Sequence, residues 1–228
     1  MECFYLPDLN KTSKEFVFSS DEINHLKVLR IANNDICMAT NGAGLTSIGV
    51  IEIQSKKYLF QPKDYFENFG EIDTNITVGF GVLSIKDRNE FLIEKCVELG
   101  VNCFLPLATR YVQSKGMNIE KFQLKIAAAM KQSKRSYLPI IKPVIDLKKI
   151  DFTAYDCVLL ADENGDKEIS SICKNVLILV GPEGGFHESE VEMLEKIINL
   201  QKLNLGPNRL RAETAAINLV SIYRQRYI

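Results

Sequence analysis

From residue 75 to the end of the chain, short apolar runs alternate with amphipathic stretches, and this alternation limits the fold more than any other feature. ITVGFGVL, VNCFLPLA, DCVLLA, NVLILV and QKLNL read as strands; DRNEFLIEKCVELG, NIEKFQLKIAAAMKQSKR, ESEVEMLEKIINL and AETAAINLVSIYRQRY read as helices, with a further short helical patch between the acidic turn DENGD and NVLILV. Strands that are apolar on both sides and separated by helices form a mostly parallel sheet covered on both faces. The fold class is therefore α/β over residues 71–228.

Residues 1–70 follow a different pattern, turn-rich and strand-like with one helix. Ser19 stands three residues before Glu22 as a capping box, and Ile23, Leu26 and Leu29 or Arg30 follow at helical spacing. DICMAT and GVIEIQ flank the turn NGAG as a hairpin would. This part reads as a small β-barrel-like module, and the lapse of apolar pattern around QPKDYFENFGEID suggests a linker.

The net charge of −1 argues against nucleic acid only until its distribution is considered. Residues 110–149 carry a net +8 and residues 150–200 a net −8. Within the basic block, KQSKRSYLP mixes Lys131, Lys134 and Arg135 with Gln132, Ser133 and Tyr137, a combination suited to phosphate contact and base stacking. The six cysteines are scattered without a C-x-x-C pair, and the two histidines add no metal-ligand spacing, so reduced thiols in the cytoplasm and no metal are expected. No apolar run approaches membrane-spanning length, and no membrane partner is expected.

Two glycine-containing turns follow expected strands: GPEGG after LILV, and GPNRLRAET after QKLNL. In open α/β sheets, ligands bind at the carboxyl ends of strands. Phosphate is a poor fit to the first turn, which lacks the lysine and hydroxyl of a P-loop and carries Glu183 at its centre. A neutral or cationic ligand held by main-chain groups fits better. Read alone, Glu213 and Thr214 are helix-start residues and the neighbouring arginines solvated charges; paired with the first turn, they point to a site.

The pair VGPEGGF (180–186) and LGPNRLRAETA (205–215) resembles the signature of the RsmE family, the 16S ribosomal RNA uridine N3-methyltransferases of the SPOUT superfamily. DEINHLKVLR, IKDRNEFLIEKCVELGV and KQSKRSYLPII resemble further family segments, in the family's order along nearly the whole chain. One departure is that the family's L-G-x-R-I-L-R appears as LGPNRLR, with its first arginine displaced by one position to Arg209.

The resemblance implies a PUA-like RNA-binding β-barrel over 1–70 and a SPOUT methyltransferase domain over 71–228 with a deep trefoil knot in about 156–228. It also implies a homodimer, S-adenosyl-L-methionine as cofactor, and 16S rRNA of the small ribosomal subunit as partner, with methylation at N3 of uridine 1498 near the decoding site. By the same analogy Val180, Gly181, Pro182, Glu183, Gly184, Gly185, Leu205, Gly206 and Leu210 cradle the cofactor. N3 of uracil is mostly protonated near neutral pH, so the chemistry wants a base or a stabiliser of the uracil anion. Arg211 is assigned to the developing charge or an adjacent phosphate, and Glu213 to proton acceptance or to orienting Arg211. His25, Arg30, Lys86, Arg88, Lys131, Arg135 and Tyr137 are candidates for RNA binding. Two other readings are a non-catalytic ribosome-assembly protein that keeps the fold, and a SPOUT methyltransferase acting on another RNA.

Overall fold

The computed structural model describes residues 1–55, 57–112 and 116–227, which divide into two compact units. The first comprises Met1–Glu71 and Ala127–Leu138, the second Ile72–Ile126 and Pro139–Ile228.

In the first unit, β1 (Cys3–Tyr5), β2 (Phe16–Val17), β3 (Ile36–Thr40), β4 (Leu45–Gln54) and β5 (Lys57–Glu67) form one sheet in the order β1-β3-β4-β5-β2. The NGAG hairpin joins β3 to β4 in antiparallel register, with Thr40 opposite Thr46. Helix α1 (Ser20–Val28) opens where Ser19 Oγ accepts from the Glu22 amide, and it buries Leu26 completely. Leu26 joins Phe4, Phe18, Ile51 and Phe60 in the core, each such large side chain contributing roughly 1.5–3 kcal/mol by leaving water. Much of the expected linker is strand: Gln61–Glu67 completes β5. Pro62, which cannot donate to a ladder, sits where the β4–β5 register shifts, so the polar, half-exposed run stays paired.

The second unit contains β6 (Asn75–Gly81), α2 (Lys86–Glu98), β7 (Cys103–Ala108), the start of α3 (Ile119–Gln132), β8 (Ile140–Ile141), β9 (Ile145–Asp146), β10 (Cys157–Asp166), β11 (Asn175–Val180), α4 (Glu188–Leu194), β12 (Leu200–Leu203) and α5 (Ala212–Arg224). The strand order is β12-β10-β11-β6-β7-β8, with β9 also on β7, and these strands pair in parallel. Leu177 and Leu179 pack with Leu194 of α4 on one face. The alternate residues of β11 point to the other face, where α5 packs with its buried Ala216, Leu219, Val220 and Tyr223.

Three expectations change here. DENGD is not a turn but the extended end of β10, bulged so that Asp166 pairs with Leu203 of β12. The segment between β10 and β11 has no helix, and α4 stops at Leu194 rather than running to Leu200. Periodicity could not separate a short helix from the irregular apolar chain that follows it, because Ile197 and Leu200 still pack against the same core.

Candidate active site

Because β10, β11 and β12 run parallel, the turns that follow β11 and β12 emerge at one edge of the sheet. The first turn is closed by Gly185 N donating to Pro182 O at 2.8 Å. It lies so close to the end of β6 that a Cβ on Gly81 would meet Pro182 Cδ at 2.4 Å, a requirement the sequence reading missed. In the second turn Asn204 Oδ1 accepts from Gly206 N at 2.8 Å, and Gly206 has φ +119°, a left-handed conformation that disfavours side chains. Residues 180–185 and 205–212 line one cavity of about 860 Å³, together with Ile85, Arg88 and the Ala161–Glu163 stretch. All nine residues expected to hold a cofactor line it, as does Arg211.

One arginine joins the two turns. Arg88 on α2 donates to both carboxylate oxygens of Glu213, Nε to Oε1 at 2.9 Å and Nη2 to Oε2 at 2.6 Å, and its Nη1 donates to Glu183 Oε1 at 2.9 Å. Glu183 also accepts from the amide and hydroxyl of Ser84, at 3.2 and 2.9 Å. The hydrogen bond from Arg88 holds the Glu213 carboxyl below its ordinary range against the opposing effect of burial. For Glu183, burial pushes the carboxyl up, but its own amide, Ser84 and Arg88 outweigh it and the net shift is downward. Two ionised carboxylates therefore share one guanidinium, while the charges that line the cavity balance, Asp162, Glu163 and Glu183 against Arg88, Arg209 and Arg211. Arg211 is exposed at the N-cap of α5 and Glu213 is buried two residues on.

The sequence pattern of the RNA methyltransferase domain family matches residues 71–224. The ribosomal RNA small subunit methyltransferase E of Rickettsia conorii is 32% identical over 233 residues, covering 95% of this chain and 91% of that protein. The chain belongs to the ribosomal RNA small subunit methyltransferase E family. The Bacillus subtilis member is 28% identical, with 95% of this chain and 94% of that protein covered. The fold is that of the Neisseria gonorrhoeae member, whose crystal structure was solved bound to S-adenosyl methionine: TM-score 0.89, 24% identity, 100% of this chain and 98% of that one.

Among this family member's other expected RNA contacts, Arg135 requires correction. Its side chain is 2% exposed and ion-paired to Glu71 at 2.7 Å, so it holds the fold and cannot meet a phosphate. Arg88 pairs with the two carboxylates, Glu183 at 2.9 Å and Glu213 at 2.6 Å. Tyr137 donates its hydroxyl to Asn68 at 2.8 Å and leaves 39% of its surface exposed. Lys131 is largely covered and pairs with Glu22 at 2.5 Å. His25, edge-on to Phe4 at 5.6 Å, stands 3.8 Å from the same carboxylate. Arg30 is exposed with φ +56° just past α1. Lys86 remains exposed, 3.3 Å from Glu90, beside Lys121.

No helix among the described residues is long and apolar enough to cross a membrane, and no group of three or more His, Cys, Asp or Glu there could hold a metal.

Proposed function

We propose that this chain transfers a methyl group from S-adenosylmethionine to N3 of a uridine in small-subunit ribosomal RNA. The observation that carries the reading is the single cavity built from both glycine turns at the carboxyl edge of the parallel sheet. Its volume suits a nucleoside-sized ligand. Among the described residues no lysine lines it, and of its three arginines Arg88, against the first turn, is already engaged by two carboxylates. Main-chain groups, with Asp162, Glu163 and Glu183 balancing Arg88, Arg209 and Arg211, offer a phosphate no excess of positive charge and fit a ligand without one better. When bound, S-adenosylmethionine supplies an electrophilic methyl carbon on a positively charged sulfur and leaves as a neutral thioether.

Arg211, exposed and lining the cavity, is suited to the negative charge that grows on uracil as N3 loses its proton. Glu213, ionised and held at both oxygens by Arg88, is a weak base near neutral pH. Its role is positioning: with Arg88 it keeps the start of α5 in register with the first turn. Residues 1–70 serve as a PUA-like RNA-binding module, residues 156–228 thread a trefoil knot through the two turns, and the chain works as a cytoplasmic homodimer. Uridine 1498, near the decoding site, is the target.

Calorimetry with S-adenosylmethionine and mass spectrometry of small-subunit rRNA from cells lacking the protein test this. Cofactor binding together with loss of N3-methyluridine is expected; absence of cofactor binding would overturn the enzyme reading. An unchanged methylation pattern would overturn the target.

A further inference from the structure

We propose that the turn Thr109–Val112 is a nucleobase platform, on which the ring of Tyr111 stacks an unpaired base of the RNA strand at the rim of the cavity. The inference rests on the RNA methyltransferase reading and adds a substrate-side surface to it.

The turn follows β7, whose carboxyl end lies at the same edge as those of β6 and β11. It is closed by Val112 N donating to Thr109 O at 3.0 Å. A single carboxylate fixes where it sits: Glu190, 5% exposed, accepts from Arg110 N through Oε1 and from His187 N through Oε2, both at 2.8 Å. The first of these amides belongs to the Tyr111 turn; the second ends the loop that begins with GPEGG. Glu190 thereby locks the Tyr111 turn to the cofactor turn through two charge-assisted hydrogen bonds.

On this anchored backbone Tyr111 leaves 60% of its surface in solvent. One side of the ring is backed by the His187 imidazole, centroids 5.6 Å apart and tilted by 57°. It also borders the cofactor turn, since a Cβ placed on Gly184 would lie 3.5 Å from Tyr111 Cδ2. A large aromatic surface exposed beside a cavity calls for a ligand with a flat apolar face. An RNA base qualifies, because N3 of uracil can be reached only once the base is unpaired and unstacked. Stacking reads any base face, so the platform would hold the strand without choosing its sequence.

The test uses full-length protein and an RNA fragment of the small-subunit target region with a fluorescent purine analogue beside the target uridine. Wild type and Tyr111→Phe should bind alike and quench the analogue. Tyr111→Leu should bind the RNA about ten-fold or more weakly and lose the quench, with S-adenosylmethionine affinity and thermal midpoint unchanged. Equal RNA affinity and equal quenching by the leucine variant overturn the platform. Should leucine disturb the fold, photocrosslinking of wild type to halogenated uracil decides: a crosslink at Tyr111 supports the platform, and one confined to other segments overturns it. A wild type that binds this RNA but transfers no methyl group strikes the enzyme reading instead, and quench and crosslink still judge the platform.

Discussion

Two arginine clamps, one in each unit, use the same chemistry for different ends. In the first unit Arg135 donates to Glu71, whose Oε1 also accepts the amides of Ser136 and Tyr137 at 2.9 and 3.0 Å. The side chains are 2% and 8% exposed, so the pair is interior. In the second unit Arg88 is 18% exposed at a cavity wall and serves two carboxylates from two different turns. One charge against one closes the path of a chain segment; one charge against two ties loops together at the wall of a cavity. Surroundings, not residue type, separate a structural arginine from a site arginine.

The sharpest way to break this contrast is Arg135→Ala. It should cost about 3–5 kcal/mol of unfolding free energy in urea, because Glu71 is left buried without its counter-charge; a cost below about 1 kcal/mol would mean the clamp is not structural. Arg88→Gln should act the other way, lowering S-adenosylmethionine affinity and methyl transfer about 10- to 100-fold, the scale of lost hydrogen bonds to charged groups, with a smaller stability change than Arg135→Ala. Glu213→Gln retains one acceptor toward Arg88, so a drop in kcat of about ten-fold suits a positioning role. A drop near 10⁴-fold with normal cofactor binding would restore Glu213 as the base.

The smallest effect concerns acid. Glu183 and Glu213 are held below their ordinary value of 4.5, so they bind fewer protons folded than unfolded. Their contribution to stability is fully present above that value and drains away as pH falls through the depressed folded values. Unfolding curves measured across acid pH should be shallower for Arg88→Gln than for wild type; identical slopes would show that the clamp contributes nothing to acid stability.

Much of this organisation is legible in the chain. Alternating apolar runs announce the parallel sheet, and LILVGPEGG announces a glycine turn at a strand end, because strand periodicity and glycine chemistry are local. Ser19 caps α1, as its spacing foretells, while Glu22, the other half of the expected box, pairs with Lys131 instead. Local pattern fails where long-range pairing decides: Gln61–Glu67 and DENGD become strand only because β4 and β12 supply their partners. The basic run KQSKRSYLP looks like a uniform RNA-facing patch, yet Arg135 turns inward to meet Glu71, 64 residues away in sequence.

By itself, the sequence determined the α/β class, the two turns and the family, since each is written in contiguous residues or their spacing. Tertiary structure alone decided which charges work and which merely hold. Arg88 meets Glu183 and Glu213 across 95 and 125 residues, and Tyr111 reaches His187 and Gly184 from another strand end. Charge pairing depends on distance in space, and sequence spacing carries no measure of that distance until the sheet has brought its strand ends to one edge.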